Sequence, residues 1–266
     1  MSQELAELLG IAQRAAELAG EVVMPLFRAG VAAELKSDGT PVTVADRRAE
    51  EAMRAFLAKE CPAFGILGEE FGETPGDGRH RWVLDPIDGT KAFVHGVPLF
   101  GTLVALERAG VPVLGVIACH AAGETIAAAE GLGTALNGRR VRVSTTRSLG
   151  EATVLATSPS RLFARSPAGF EAFTRAKLFR TWGDCYGYLL VASGRADVMV
   201  DPEMNPWDLA ALYPVIREAG GTISEWSGAP GPGADSIATN GLLHSAVVAA
   251  LRPQRGAGSA TGRSRQ

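Results

Sequence analysis

The sequence predicts an α/β (α+β) protein built in two parts, and three patterns carry that reading. Apolar residues recur at helical spacing through 3–29 and again from about Thr43–Asp46. Between 63 and 144 the texture changes to short apolar runs separated by turns. From 152 onward strand-like and helix-like segments alternate, which implies a partly parallel sheet.

The first stripe is Leu5, Leu8, Leu9, Ala12, Ala15, Ala16, Ala19, Val22, Val23 and Leu26, an amphipathic helix closed by Gly30. A polar link, KSDGTPVTVAD, follows, with Asp38-Gly39 and Pro41 marking a turn. The second helix buries Ala49, Met53, Phe56 and Leu57. It ends before Cys61-Pro62, because a residue preceding proline avoids helical angles. AFGIL (63–67) and RWVL (81–84) are short strands. LFGTLVALE (99–107), VPVLGVIAC (111–119) and ETIAAAE (124–130) form an antiparallel meander. Asn137-Gly138 is a hairpin turn with VRVS (141–144) as its outgoing strand.

In the second half ATVLATS (152–158), DVMV (197–200), GTISEW (221–226) and IATN (237–240) read as strands. Helices are predicted over 161–176, 186–194, 208–219 and 241–251. The organisation expected is an N-terminal part at 1–145, a C-terminal α/β part at 146–252 and a disordered tail at 253–266.

Composition narrows the function classes. A chain of 266 residues with 46% hydrophobic residues builds a sizeable core, and 21% charge argues against disorder. The net charge is −3, but residues 252–266 hold four arginines and no acid, so the remaining body carries −7. That body suits cations better than nucleic acid. Cys61, Cys119 and Cys185 lie far apart in no CxxC pair, which reads as reduced thiols in a cytoplasmic protein. The start carries acids where a secretory signal carries Lys and Arg, and no apolar run reaches membrane-spanning length. No membrane or nucleic-acid partner is expected.

The chemistry concentrates in Trp82-Val83-Leu84-Asp85-Pro86-Ile87-Asp88-Gly89-Thr90. Two carboxylates straddle a proline that ends a strand ladder, so both side chains can converge on one point. Converging anions repel unless a cation lies between them, and Mg2+ prefers such oxygen donors. An Asp-Pro turn followed by an Asp N-cap accounts for this stretch equally well when it stands alone. Glu69 in Gly68-Glu69-Glu70 exits the preceding strand, and Asp208 in Pro206-Trp207-Asp208 opens a helix, where it also reads as an N-cap. Together these supply four carboxylates at element ends, the number a multi-metal phosphoryl-transfer site requires. His80, His95, His120 and His244 show no metal spacing; most read as turn or surface residues, and His95, nearest the site, is a candidate to line its pocket. There is no GxSxG elbow or P-loop.

GEE, DPIDGT, and WD opening a helix that ends EAGG resemble the inositol monophosphatase family of Mg2+-dependent, lithium-sensitive phosphatases. The resemblance covers nearly the whole chain, including Lys36 through Asp46 and the hairpin at Gly131–Gly138. It implies a layered α-β-α-β-α sandwich, two or three Mg2+ ions, a phosphate monoester substrate and a homodimer. It further implies metal ligation by Glu69, Asp85, Asp88, Asp208 and the carbonyl of Ile87. Glu69 and Thr90 would orient the attacking water, Asp46 would support Thr90, and Gly89 and Thr90 N–H groups would hold phosphate.

Within the family, GTKxFxxGVPLFGTL (89–103), Trp182-Gly183-Asp184-Cys185-Tyr186-Gly187-Tyr188 and Asp201-Pro202-Glu203-Met204-Asn205-Pro206-Trp207-Asp208 resemble the histidinol-phosphatase branch of histidine biosynthesis. An inositol-1-monophosphatase or broad sugar phosphatase is the alternative. On this resemblance Asp184 and Asp201 fall at substrate-contacting positions. Two acids there suit a cationic amino-alcohol. Asp184 also reads as a helix N-cap.

Overall fold

The computed structural model describes residues 2–30, 33–35 and 41–252, so Lys36, the Asp38-Gly39 turn and the tail at 253–266 lie outside the described residues. Helix α1 (Ser2–Val23) stops short of residue 29 because Pro25 has no N–H to donate; Met24–Gly30 continue as turns. A small ribbon of β1 (Glu34–Leu35) and β2 (Pro41–Val42) leads to α2 (Val44–Glu60). Thr43 caps α2: its hydroxyl accepts the Ala45 N–H at 3.0 Å, and the Asp46 carboxylate accepts the Thr43 N–H at 2.8 Å.

The first sheet runs β3 (Gly65–Gly68), β4 (Gly72–Thr74), β5 (His80–Asp88), then α3 (Thr90–Val94), then β6 (Gly101–Arg108), β7 (Val111–Cys119), β8 (Glu124–Ala129), β9 (Gly133–Leu136) and β10 (Arg139–Arg140). Its eight strands lie in the order β10-β9-β8-β7-β6-β5-β3-β4, antiparallel except for the β3–β5 pair. The outgoing strand of this hairpin is β10, and the strand predicted at 141–144 does not form. Beyond Val141 the chain leaves the sheet, and Val143 N–H donates to Ala219 O at 3.2 Å.

The second sheet and its helices follow: β11 (Thr153–Ala156), α4 (Pro159–Arg165), α5 (Pro167–Thr174), β12 (Leu178–Arg180), α6 (Asp184–Ala192), β13 (Val198–Asp201), α7 (Pro206–Ala210), α8 (Leu212–Glu218), β14 (Thr222–Ser224), β15 (Ser236–Thr239) and α9 (His244–Leu251). Strand order is β12-β11-β13-β15-β14, with β11 parallel to both neighbours. The helix predicted over 161–176 is two helices, because Pro167 ends the first and Ser166 caps the second. The one predicted over 208–219 is also two. Pro214 lacks the N–H that a continuous helix would donate to the carbonyl of Ala210, and the break falls at Ala211.

Three apolar clusters show how the layers stack. The first joins α1 and α2 to one face of the large sheet through Ala16, Met53, Trp82 and Val104. The second joins the opposite face to α6, α7, α8 and the smaller sheet through Leu103, Tyr188, Leu209, Met199 and Ala238. The third covers the far face of the smaller sheet with α4, α5 and α9 through Leu162, Phe173 and Val247. The result is the α-β-α-β-α layering that the resemblance implied. No helix of the described residues is long and apolar enough to cross a membrane.

Candidate active site

The end of β5 is where the strand ladder fails. Asp85 still pairs with Leu103 of β6, and Asp88 pairs with Gly101, but the register shifts between them at Pro86-Ile87. Proline cannot donate to the ladder, and the carbonyl of Pro86 instead accepts the Thr102 hydroxyl at 2.8 Å. The bulge lets two carboxylates that an even strand would separate converge. Asp208, from α7, joins them: one oxygen each from Asp85, Asp88 and Asp208 lies within 4.8 Å of the others. Asp208 is not the helix cap; Asn205 is, and its N–H donates to Asp208 Oδ2 at 2.7 Å. Glu69 leaves β3 with its N–H on Leu84 O at 3.2 Å. It lines the same cleft, about 190 Å3 in volume, together with Ile87, Gly89 and Thr90.

The electrostatics of this cluster are those of a cation site. Asp85 is buried, and its Oδ1 has no hydrogen-bond partner among the described residues. Burial, then Glu69, Asp88 and Asp208, push its pKa well above the usual carboxylate range. Asp88 is raised too, by burial and by Asp184 and Asp208, against the lowering effect of the Cys185 N–H that donates to it. An all-oxygen donor set with an orphaned buried carboxylate oxygen fits a hard divalent ion such as Mg2+.

Gly89 turns the chain from β5 into α3 at φ 85°, which favours glycine. A Cβ there would lie 3.1 Å from Leu99 O and 3.2 Å from Asp184 Oδ2, so Asp184 closes over this turn. Thr90 hydroxyl stands 3.0 Å from Ile87 O and 3.4 Å from Asp46 Oδ1. Asp46 itself is buried and also serves the α2 cap, so one carboxylate joins the helix start to Thr90.

On the opposite wall Asp184 is the first residue of α6 and Gly183 is the cap, so the N-cap alternative does not hold. Asp184 has φ 50°, held by its N–H bond to Thr157 Oγ1 at 2.8 Å. Burial and the nearby Asp201 raise its pKa to about 7, while Lys91 opposes them. Asp201 is buried deeper. Its oxygens accept the Thr157 N–H at 3.3 Å and the Tyr188 hydroxyl at 2.9 Å, and burial lifts its pKa to about 6. Asp184 therefore reaches the cleft, whereas Asp201 lines a recess of about 80 Å3 behind it.

Several residues were not legible as site residues. Lys91, Thr157, Arg161 and Glu203 also line the cleft, and Arg161 pairs with Glu203. Glu50 holds the turn around Glu69. Thr157, Arg161 and Glu50 belong to no motif. Lys91 lies inside GTKxFxxGVPLFGTL and Glu203 inside the Asp201–Asp208 stretch, which is the signal the sequence offers for them. His95 is exposed at the end of α3, its Nδ1 2.8 Å from Lys91 O, and does not line the cleft. His120 is half-buried and contacts the Thr102 hydroxyl at 3.0 Å. Tyr188 lines the recess, while Tyr186 lies beside Glu124 and Arg195.

The family model for the inositol monophosphatase family matches residues 4–257. The chain is 41% identical over 249 residues to a histidinol-phosphatase of Chlorobaculum parvum, covering 91% of this chain and 96% of that one. It is 35% identical over 227 residues to an inositol-1-monophosphatase of Mesorhizobium japonicum, covering 82% and 85%. An inositol monophosphatase structure from Zymomonas mobilis superposes with a TM-score of 0.83 at 36% identity, over 92% of this chain and 98% of that chain. Layering, acidic cluster and sequence all converge: the chain belongs to the inositol monophosphatase family, a family of metal-dependent phosphatases.

Proposed function

We propose that this phosphatase is a Mg2+-dependent histidinol-phosphatase, converting L-histidinol phosphate and water into L-histidinol and phosphate in histidine biosynthesis. The observation that carries this choice is Asp184, a carboxylate held at φ 50° against the Gly89 turn. A substrate whose phosphate sits at Gly89 and Thr90 brings its protonated amine to that carboxylate, a charge-assisted contact that a neutral polyol cannot make. The relative from Chlorobaculum parvum, itself a histidinol-phosphatase, supports the same reading.

In this reading Glu69, Asp85, Asp88, Asp208 and the Ile87 carbonyl hold two or three Mg2+ ions. When bound, the metal supplies Lewis acidity that makes water nucleophilic near neutral pH and neutralises the leaving alkoxide. Thr90, fixed between Ile87 O and Asp46, and Glu69 orient the attacking water in line with phosphorus. Gly89 and Thr90 offer backbone N–H groups to the phosphate oxygens, with Lys91 adjacent. The reading includes a homodimer working in the cytoplasm, and light scattering on the purified protein checks the stoichiometry.

An inositol-1-monophosphatase is the second reading. It draws support from Asp201, whose oxygens are both engaged, so that only one of the two acids that suit a cationic leaving group remains open to it. The deciding experiment is phosphate release with Mg2+ from L-histidinol phosphate, myo-inositol 1-phosphate and fructose 1,6-bisphosphate, side by side. A preference of about a hundredfold for histidinol phosphate, about 2.7 kcal/mol at the transition state, is expected. Asp184→Asn is expected to remove most of it by raising KM. Comparable rates on all three esters would overturn the histidinol assignment and leave the phosphatase chemistry standing.

A further inference from the structure

The turn that carries Glu69 is gripped from behind by a carboxylate that lies outside the cleft. Glu50 sits on α2 one helical turn beyond Asp46 and has no exposed surface. Its Oε2 accepts the Glu70 N–H at 2.7 Å, and its Oε1 accepts the Phe71 N–H at 3.2 Å. The Arg54 Nε–H donates to Oε1 at 2.7 Å, and the same guanidinium reaches Thr74 Oγ1 at 3.1 Å and the carbonyl of Gly72. Residue 68 must be glycine for this grip to close, because a Cβ there would overlap Glu50 Oε1.

We propose that Glu50 is a positioning residue of the active site: by fixing the backbone from Gly68 to Phe71 it aims Glu69 at the Asp85–Asp88–Asp208 cluster. The proposal rests on Glu69 being a metal ligand. Helix α2 then serves the site twice from one face, Asp46 standing behind Thr90 and Glu50, four residues on, behind Glu69. A buried carboxylate suits the task, because both its oxygens accept from backbone N–H groups while Arg54 balances its charge. An amide of the same shape cannot do this. It turns a donor toward one of three donors, and the turn must move to relieve the contact.

The test compares Glu50→Gln, Gly68→Ala and Glu69→Gln with the wild type in the full chain. Two readouts are taken: the Mg2+ concentration giving half of the maximal rise in melting temperature, and kcat and KM at saturating Mg2+. Glu50→Gln is expected to raise the half-saturating Mg2+ about tenfold and to lower kcat about tenfold, with KM within twofold of wild type. Gly68→Ala, which displaces the carboxylate without removing it, is expected to move both readouts in the same direction, and it decides the matter if Glu50→Gln does not fold. A variant that melts earlier but keeps the wild-type Mg2+ midpoint and kcat would reduce Glu50 to a structural residue and overturn the proposal. An unchanged midpoint in Glu69→Gln would instead overturn the ligand assignment of Glu69.

Discussion

At the scale of single residues, the site is a set of charges that the fold holds together against their mutual repulsion. Asp85 shows the cost most directly, being buried with one oxygen unpartnered and surrounded by Glu69, Asp88 and Asp208. Asp85→Asn is therefore expected to act oppositely on activity and on stability. It should lower kcat about a thousandfold, about 4 kcal/mol, and raise the melting temperature measured in EDTA, where no cation offsets the charge. A second residue works through pH. Burial lowers the His120 pKa to about 4 from an ordinary 6.5, so the folded state keeps this ring neutral while the unfolded chain protonates it. The folded pKa is the depressed one, so this contribution to stability is complete above pH 6.5 and is lost as pH falls toward 4. The loss amounts to at most about 3 kcal/mol. His120→Asn, retaining a polar partner for Thr102, should flatten that part of the stability profile in denaturant titrations across pH 4–7.

Elements with strong periodicity or explicit breakers read directly from the sequence, and those that depend on neighbours did not. The start of α2 at Thr43 and its end before Cys61-Pro62 follow from capping and proline geometry. The prolines behind the splits at Pro167 and Pro214 are equally written in the chain, but each lies within an apolar pattern whose period alone spans one helix. Strand β4 carries no apolar side chain and β12 is only three residues long; both pair along edges that β3 and β11 offer. The VRVS segment alternates like a strand, yet it is drawn off the sheet by the end of α8. Packing between elements sets its own demands. A Cβ on Gly115 of β7 would overlap the carbonyl of Ala211, the residue between α7 and α8, and backbone cannot step aside as a side chain can. Gly115→Ala is expected to cost about 3 kcal/mol or more, a drop of roughly 10 °C in melting temperature by calorimetry. Because α7 carries Asp208, the same variant should weaken Mg2+ binding.

For the whole molecule, the cleft lies between the end of the large sheet and the helical layer that separates it from the smaller sheet. Asp85 and Asp88 come from the end of the large sheet, and Asp208 comes from the helical layer packed beneath it. A cation held by all three ties chain segments more than a hundred residues apart. Mg2+ at about a hundred times its dissociation constant is expected to add about 2.7 kcal/mol, readable as a melting-temperature rise of several degrees that Asp208→Asn largely removes. By itself the sequence determined the α/β class, most helix and strand identities and the residues DPIDGT, GEE and WD, because periodicity, caps, proline and carboxylate spacing are local properties of a chain. Only the tertiary structure decided that Asp85, Asp88 and Asp208 lie within 4.8 Å of one another. It likewise decided that Asp184 faces the cleft while Asp201 withdraws behind it, and that Glu50 grips the turn at Glu69. Those relations depend on burial and on contacts between distant segments, and no spacing along the chain encodes them.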